Sequence, residues 1–297
     1  MKYVITGAAG NISKPLAEKL LKAGHEVTVI SRQEKNIESL ISQGAQAAIG
    51  SVEDIDFLTK TFTGADAVYT MVPPHFGATD WKAYIGQIGK NFATAIKNSG
   101  VQYVLNLSSV GAHLPEGAGP VSGLYRAEQA LNELADVKIK HLRPVYFYTN
   151  FLASIPMVKH MKIIGSNFGG PGFTMVLTHP DDIAEVAFEE LNKLEFTGHS
   201  YRYIASDERP TSDIASVIGK AIGQPELPWI TFTDEQSLNG LLQAGLPEEI
   251  AKNYTEMGHA LQSGLFMEDY LINRPAQSGK TKLEDFARQF AAVYQAG

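Results

Sequence analysis

No cysteine occurs in the 297 residues, which excludes disulfides, thiolate metal sites and a cysteine nucleophile and accords with a reducing compartment. No stretch approaches the about 20 apolar residues a membrane span needs. The apolar run within the amino-terminal MKYVITGAAG is likewise too short for a signal peptide. We therefore expect a cytoplasmic protein without membrane association. Basic residues number 25 against 32 acidic ones, a net charge of -7. No Lys/Arg cluster is present to neutralise a phosphate backbone, so nucleic acid is not an expected partner. Gly-x-Ser-x-Gly is missing, which removes the nucleophile elbow of a hydrolase. The eight histidines show no metal-ligand spacing, and His179-Pro180-Asp181-Asp182 reads as a helix entry whose carboxylates complement the dipole. No metal is expected, and there is no internal repeat or low-complexity tract.

What is present is alternation. Up to Arg143, short β-branched runs alternate with helical patterns, the mark of a parallel sheet covered on both faces. Strands are expected near 2–6, 26–31, 45–49, 66–71, 102–107 and 138–142, with helices near 11–23, 35–43, 54–62, 80–99 and 123–135. Beyond Arg143 glycine and proline accumulate, and IGSNFGGPGF at 164–173 predicts a surface loop or short hairpin. Helices are expected over 179–194, 211–222, 234–243, 247–262 and 281–294, with a strand at 200–206 returning to the sheet. The fold class is α/β: a Rossmann doubly wound parallel sheet over 1–150, and a smaller, mostly helical lobe over 151–297 covering the substrate.

The first strand runs into GAAGNIS and then a helix closed by Gly24. Gly7 permits a tight turn, Gly10 lets the backbone approach a pyrophosphate, and Ser13 is small enough for close helix–strand contact. Pro15 is tolerated in the first helical turn. A dinucleotide is expected against Thr6, Gly7, Ala9, Gly10, Asn11 and Ile12. The second strand ends in Ser31 and Arg32, with Lys35 shortly after and no acid at the strand end to hold a ribose 2′-hydroxyl. A 2′-phosphate suits these residues better, because a guanidinium forks onto phosphate while Ser31 and Lys35 add a hydroxyl and a point charge. NADP(H) is therefore expected over NAD(H).

TGAAGNIS, SRQEK, GADAVYTMVPP, NFATAIKNSGVQYVLNLSS, HLRPVYFYTNF and HPDDIAEVAF, in that order and spacing, resemble the NmrA-like family of atypical short-chain dehydrogenases/reductases. Within it the chain looks most like the bacterial NAD(P)H quinone and triphenylmethane-dye reductases. The resemblance implies that Met71, Val72, Pro73 and Ser108 line the cofactor cleft and that Pro144 and Tyr146 pass beside the nicotinamide. Where many relatives carry Gly-Asp after the third strand, this chain has Gly50-Ser51.

Orthodox short-chain dehydrogenases place Tyr and Lys four apart on one helical face. Here four residues beyond Tyr125 stands Gln129, and the adjacent Arg126 is a poor proton relay. The proton donor stays open, with Tyr125, His113 and Tyr146 as candidates. Hydride transfer to a conjugated acceptor needs mainly proximity and orientation, with water able to protonate the product. Aromatic residues after the fourth and sixth strands, His75, Phe76, Trp81, Tyr84, Phe147 and Phe151, are expected to wall a pocket for a flat acceptor. Two further readings remain: a non-catalytic NADP(H)-sensing regulator acting through a protein partner, and, more weakly, a sugar-nucleotide epimerase or reductase. Oligomeric state, a homodimer included, is open.

Overall fold

Tyr3, Val4 and Ile5 alternate between two sides of the first strand, and the cores they enter explain the architecture. In the computed structural model, which describes residues 1–276 and 278–296, the opening elements are β1 (Lys2–Ile5), α1 (Ser13–Lys22), β2 (Glu26–Ser31), α2 (Glu38–Ile41), β3 (Gln46–Ile49), α3 (Ile55–Phe62), β4 (Ala67–Thr70), α4 (Trp81–Ser99), β5 (Tyr103–Leu107), α5 (Pro120–Asn132) and β6 (Lys138–Pro144). Tyr3, Ile5, Val27, Val29 and Tyr69 join one core with Leu16 and Leu20 of α1. Val4, Ile30, Val68 and Val104 join the other with Phe62, Phe92 and Leu131 from α3, α4 and α5. This period-two division is what a sheet covered on both faces requires. At Gly89 a Cβ would lie 2.4 Å from the Ala127 Cα, so glycine there permits the close approach of α4 and α5.

The chain continues through β7 (Tyr146–Phe147), α6 (Ile155–Met161), β8 (Ile164–Ser166), β9 (Thr174–Thr178), α7 (Pro180–Lys193), β10 (His199–Ile204), β11 (Asp207–Pro210), α8 (Thr211–Ala221), β12 (Trp229–Thr231), α9 (Asp234–Gln243), α10 (Glu248–Gln262), α11 (Glu268–Ile272) and α12 (Leu283–Ala296). The main sheet has the order β10-β6-β5-β4-β1-β2-β3, and every pairing in it is parallel. β10 is the expected returning strand. None of the described helices is long and apolar enough to cross a membrane.

Two expectations in the second half need correction. Residues 164–166 form neither a surface loop nor half of a hairpin. They pair in parallel with Trp229–Thr231, and Ile164, Asn167 and Phe168 are buried. The acids of the 179–182 segment do not act alike. His179 Nδ1 caps α7 by accepting the Asp181 N–H at 3.2 Å, and exposed Asp181 is placed to complement the dipole. Asp182 is buried and accepts from Ser206 Oγ at 2.6 Å and from the backbone N–H groups of Lys280 and Thr281 at 3.2 and 3.1 Å. It therefore anchors the segment leading into α12.

A buried polar chain crosses the sheet. Thr70 Oγ1 donates to Asn106 Oδ1 at 3.0 Å, Asn106 Nδ2 donates to His141 Nδ1 at 3.0 Å, and His141 Nε2 donates to Asn132 Oδ1 at 3.1 Å. This arrangement uses His141 in its neutral form, and burial holds its pKa below the ordinary imidazole value of about 6.5. A histidine with a depressed folded pKa binds fewer protons than the unfolded chain. Its contribution is therefore fully present above pH about 6.5 and is lost as the pH falls below that value, by up to about 1.4 kcal/mol per pH unit. We expect the urea midpoint to drop between pH 7.5 and 5.5, and to drop less steeply in His141→Gln. Equal slopes in the two proteins would sink this assignment.

Candidate functional site: a dinucleotide cleft

β1 and β4 are neighbours in the sheet, yet α1 and α4 pack on opposite faces. A crevice opens at such a reversal of strand order, outside the carboxyl ends of the strands. The turn Gly7–Gly10 forms one wall. Gly7 has a φ of +64°, and the Gly10 N–H donates to its carbonyl at 2.9 Å. α1 begins three residues later with no acid in its first turn, leaving the positive end of its dipole unneutralised. A cavity of about 330 Å³ lies against this turn. Its remaining walls come from Ile30–Arg32 and Asn36, from Gly50–Glu53, and from Met71, Pro73–His75 and Tyr84.

Charge sharpens the picture. Arg126, Arg143, Arg202, Arg209, Arg274 and Arg288 each pair with a carboxylate. Among the described residues, Arg32 is the one arginine without such a partner, and it stands exposed at the cleft. Ser31 Oγ donates to the Gln33 carbonyl at 2.9 Å, which fixes the turn that presents Arg32. Lys35 sits on the short 3-10 turn Glu34–Asn36 and is not among the lining residues; Asn36, overlooked in the sequence, is.

The other expected cofactor residues fall into distinct places. Ala9, Met71 and Pro73 line the cleft. Thr6 is fully buried, and its Oγ1 accepts the Met71 N–H at 2.8 Å, stitching β1 to β4. Asn11 is exposed, Ile12 belongs to the core, and half-buried Val72 packs towards Trp81. Ser108, Pro144 and Tyr146 lie outside this cavity, at the carboxyl ends of β5 and β6. Ser108 is buried, and its Oγ has no hydrogen-bond partner among the described residues. A turn whose Gly7 holds a positive φ, an unopposed helix N-terminus and an exposed guanidinium at the cleft fit a dinucleotide.

The aromatic residues do not converge on one wall. His75 and Tyr84 meet edge-to-face at 4.8 Å inside the cleft beside Arg32. Exposed Phe76 packs on buried Trp81 at 5.8 Å, and Trp81 on Tyr254 at 5.4 Å. Half-buried Tyr146 contacts Phe151 and Phe168. Phe151 is core, packed between Trp229 and Phe286. Phe147 is half-buried against the cluster containing Ile5 and Ile12. Tyr254, on α10, is not legible as a neighbour of Trp81 because 173 positions separate them in sequence.

Of the candidate donors, Tyr125 is half-buried on α5 and Gln129 is exposed. Arg126 is held by Glu116 at 2.6 Å. Both ring nitrogens of His113 are shielded from solvent and unpartnered among the described residues. Burial, reinforced by nearby Tyr254, pushes the Tyr146 phenol well above its usual pKa, so it is suited to donating a hydrogen bond and not to releasing a proton.

Residues 7–142 match the model of a family described as NAD(P)H-binding. The class defined by the fold is a Rossmann-type α/β chain with a helical carboxyl-terminal region. Over 262 residues the chain is 26% identical to an uncharacterized protein of Schizosaccharomyces pombe, covering 80% of this chain and 85% of that one. Among solved structures it is similar to the Citrobacter sp. triphenylmethane reductase complexed with NADP(H), with 19% identity, a TM-score of 0.79 and coverage of 97% and 99% of the two chains. An NADPH-dependent quinone oxidoreductase from Escherichia coli gives 19%, 0.75 and 97% and 99%. A nucleoside-diphosphate-sugar epimerase from Staphylococcus aureus gives 15%, 0.78 and 97% and 100%. At these identities the likeness is one of fold, and it bears out the expected Rossmann sheet with its helical carboxyl-terminal lobe.

Proposed function

We propose that the protein is an NADPH-dependent oxidoreductase that reduces a quinone-like or other conjugated aromatic acceptor. The observation that carries the cofactor choice is Arg32, the single arginine left without a carboxylate among the described residues, at the lip of the cleft. The reductase reading is supported by the likeness in fold to a triphenylmethane reductase complexed with NADP(H) and to an NADPH-dependent quinone oxidoreductase.

The backbone N–H groups at the start of α1 would hold the diphosphate, and Arg32 would fork onto the 2′-phosphate. When bound, the dihydronicotinamide supplies a hydride. Ser108 offers its hydroxyl at the end of β5, and Tyr146 contributes a protonated phenol that can orient an acceptor oxygen. The proton that completes reduction would come from water, because the residue four beyond Tyr125 is Gln129, whose amide cannot relay a proton as a lysine can.

The test is NADPH oxidation by purified protein across a panel of quinones and triphenylmethane dyes, with flavin excluded. Turnover on at least one acceptor is expected. Tight NADP binding with no turnover on any of them would instead favour a regulator that responds to NADP(H). Tyr125→Phe is expected to change turnover by less than tenfold, about 1.4 kcal/mol; a larger loss would restore a catalytic tyrosine.

A further inference from the structure

We propose that Glu53, steadied by Tyr84, is the residue that reads the adenine base of the cofactor. The inference rests on the NADP(H) reading above and adds a specificity determinant to it.

The Ser51 hydroxyl accepts the Glu53 N–H at 3.2 Å. That turn carries Glu53 into the lining of the cleft. The Tyr84 hydroxyl, arriving from the first turn of α4, donates to Glu53 Oε1 at 3.2 Å. The Tyr84 ring is fixed in turn by the edge-to-face contact with His75, whose Nδ1 accepts the Gly77 N–H at 3.2 Å. Asn91 Nδ2 also donates to the Glu53 carbonyl at 3.4 Å. Burial and the neighbouring carboxylate push the Tyr84 phenol up to about 12, so it remains a donor throughout the physiological range. Glu53 has no lysine or arginine partner among the described residues, in contrast to Glu128, Glu190 and Glu256.

The Glu53 carboxylate, in the lining of the cleft shared with Arg32, has two oxygens and one donor, the Tyr84 hydroxyl. Oε2 has capacity left to accept a hydrogen bond. Adenine offers a matching group, its exocyclic amino donor, while Arg32 and His75 supply flat surfaces for the ring. Hypoxanthine carries a carbonyl oxygen at the same position and would face the carboxylate acceptor to acceptor.

The experiment is calorimetric titration of the purified protein with NADPH and with nicotinamide hypoxanthine dinucleotide phosphate in its reduced form. Wild type is expected to bind the hypoxanthine analogue about tenfold to a hundredfold more weakly, the range for a hydrogen bond to a charged group. In Glu53→Gln, whose amide can turn either face, the two affinities should converge. Tyr84→Phe should narrow the gap with little effect on folding, read by circular dichroism. Equal affinities in wild type, or a gap unchanged in Glu53→Gln, overturns the proposal while leaving the NADP(H) reading intact. Failure of wild type to bind either dinucleotide overturns both.

Discussion

Gly7→Val is expected to lower NADPH affinity at least a hundredfold, the largest effect of any single substitution in the cleft. Gly7 has a φ of +64°, a conformation that a β-branched residue adopts only at a cost of more than about 1–2 kcal/mol. A Cβ there would also lie 2.4 Å from the Met71 Sδ, so Met71 would have to swing away from the turn, and both residues line the cavity. Gly10 provides the control. Its φ is ordinary, and a Cβ would touch only the Gly7 carbonyl, at 3.2 Å. Gly10→Ala should therefore fold normally and lose less affinity than Gly7→Val. Calorimetric titration of both variants, with circular dichroism to verify folding, makes the comparison. Full affinity in Gly7→Val would mean that the dinucleotide does not lie on this turn.

The largest loss of stability is expected from Glu128→Ala. Arg143 Nε and Nη2 donate to the two Glu128 oxygens at 3.0 and 2.6 Å, with the side chains only 8% and 1% exposed. Removing the carboxylate leaves a guanidinium buried without its main partner, which costs about 3–5 kcal/mol. Asp269, 3.2 Å from Arg143 Nη1, remains as partial compensation and places the expected value near the lower end. The network joins α5, β6 and α11, and Tyr203 of β10 also hydrogen-bonds Asp269, so the loss is tertiary and local to the junction of sheet and lobe. The double variant Glu128→Leu/Arg143→Met, which removes both charges, should be more stable than Glu128→Ala. Urea unfolding at pH 7.5 reads both; a change below 1 kcal/mol in Glu128→Ala would show that the pair contributes little.

What was legible in the sequence is what local periodicity and turn chemistry encode. KYVI, EVTVIS, AVYT and YVLNL carry the alternation that divides between two cores, and Gly7 and Gly10 announce their turn. Glu128 and Arg143 gave no such signal, because a buried ion pair is created by the packing of α5 on β6. The β8–β12 pairing went unseen for a similar reason: two three-residue strands are joined across more than sixty positions, and nothing local marks them as partners. In sequence Asp181 and Asp182 are equivalent helix-entry acids; only the fold brings the Lys280–Thr281 backbone onto Asp182. The aromatic residues after β4 and β6 share a composition but not a place, since Trp81 and Tyr84 sit on α4, His75 and Phe76 on the loop before it, and Phe151 on the 3-10 turn Tyr148–Ser154. Phe151 accordingly went to the core, and His75 and Tyr84 to the cleft. The Glu53–Tyr84 contact lay in the convergence of two loops and a helix, which composition does not record.

The most direct measurement of the central claim is paired titration of wild type and Arg32→Asp with NADPH and NADH. If Arg32 meets the 2′-phosphate, wild type binds NADPH more tightly. Arg32→Asp then loses at least about tenfold of that affinity, the scale of one charge-assisted pair, while its affinity for NADH changes little. Equal losses for the two dinucleotides, or no preference in wild type, would contradict the account.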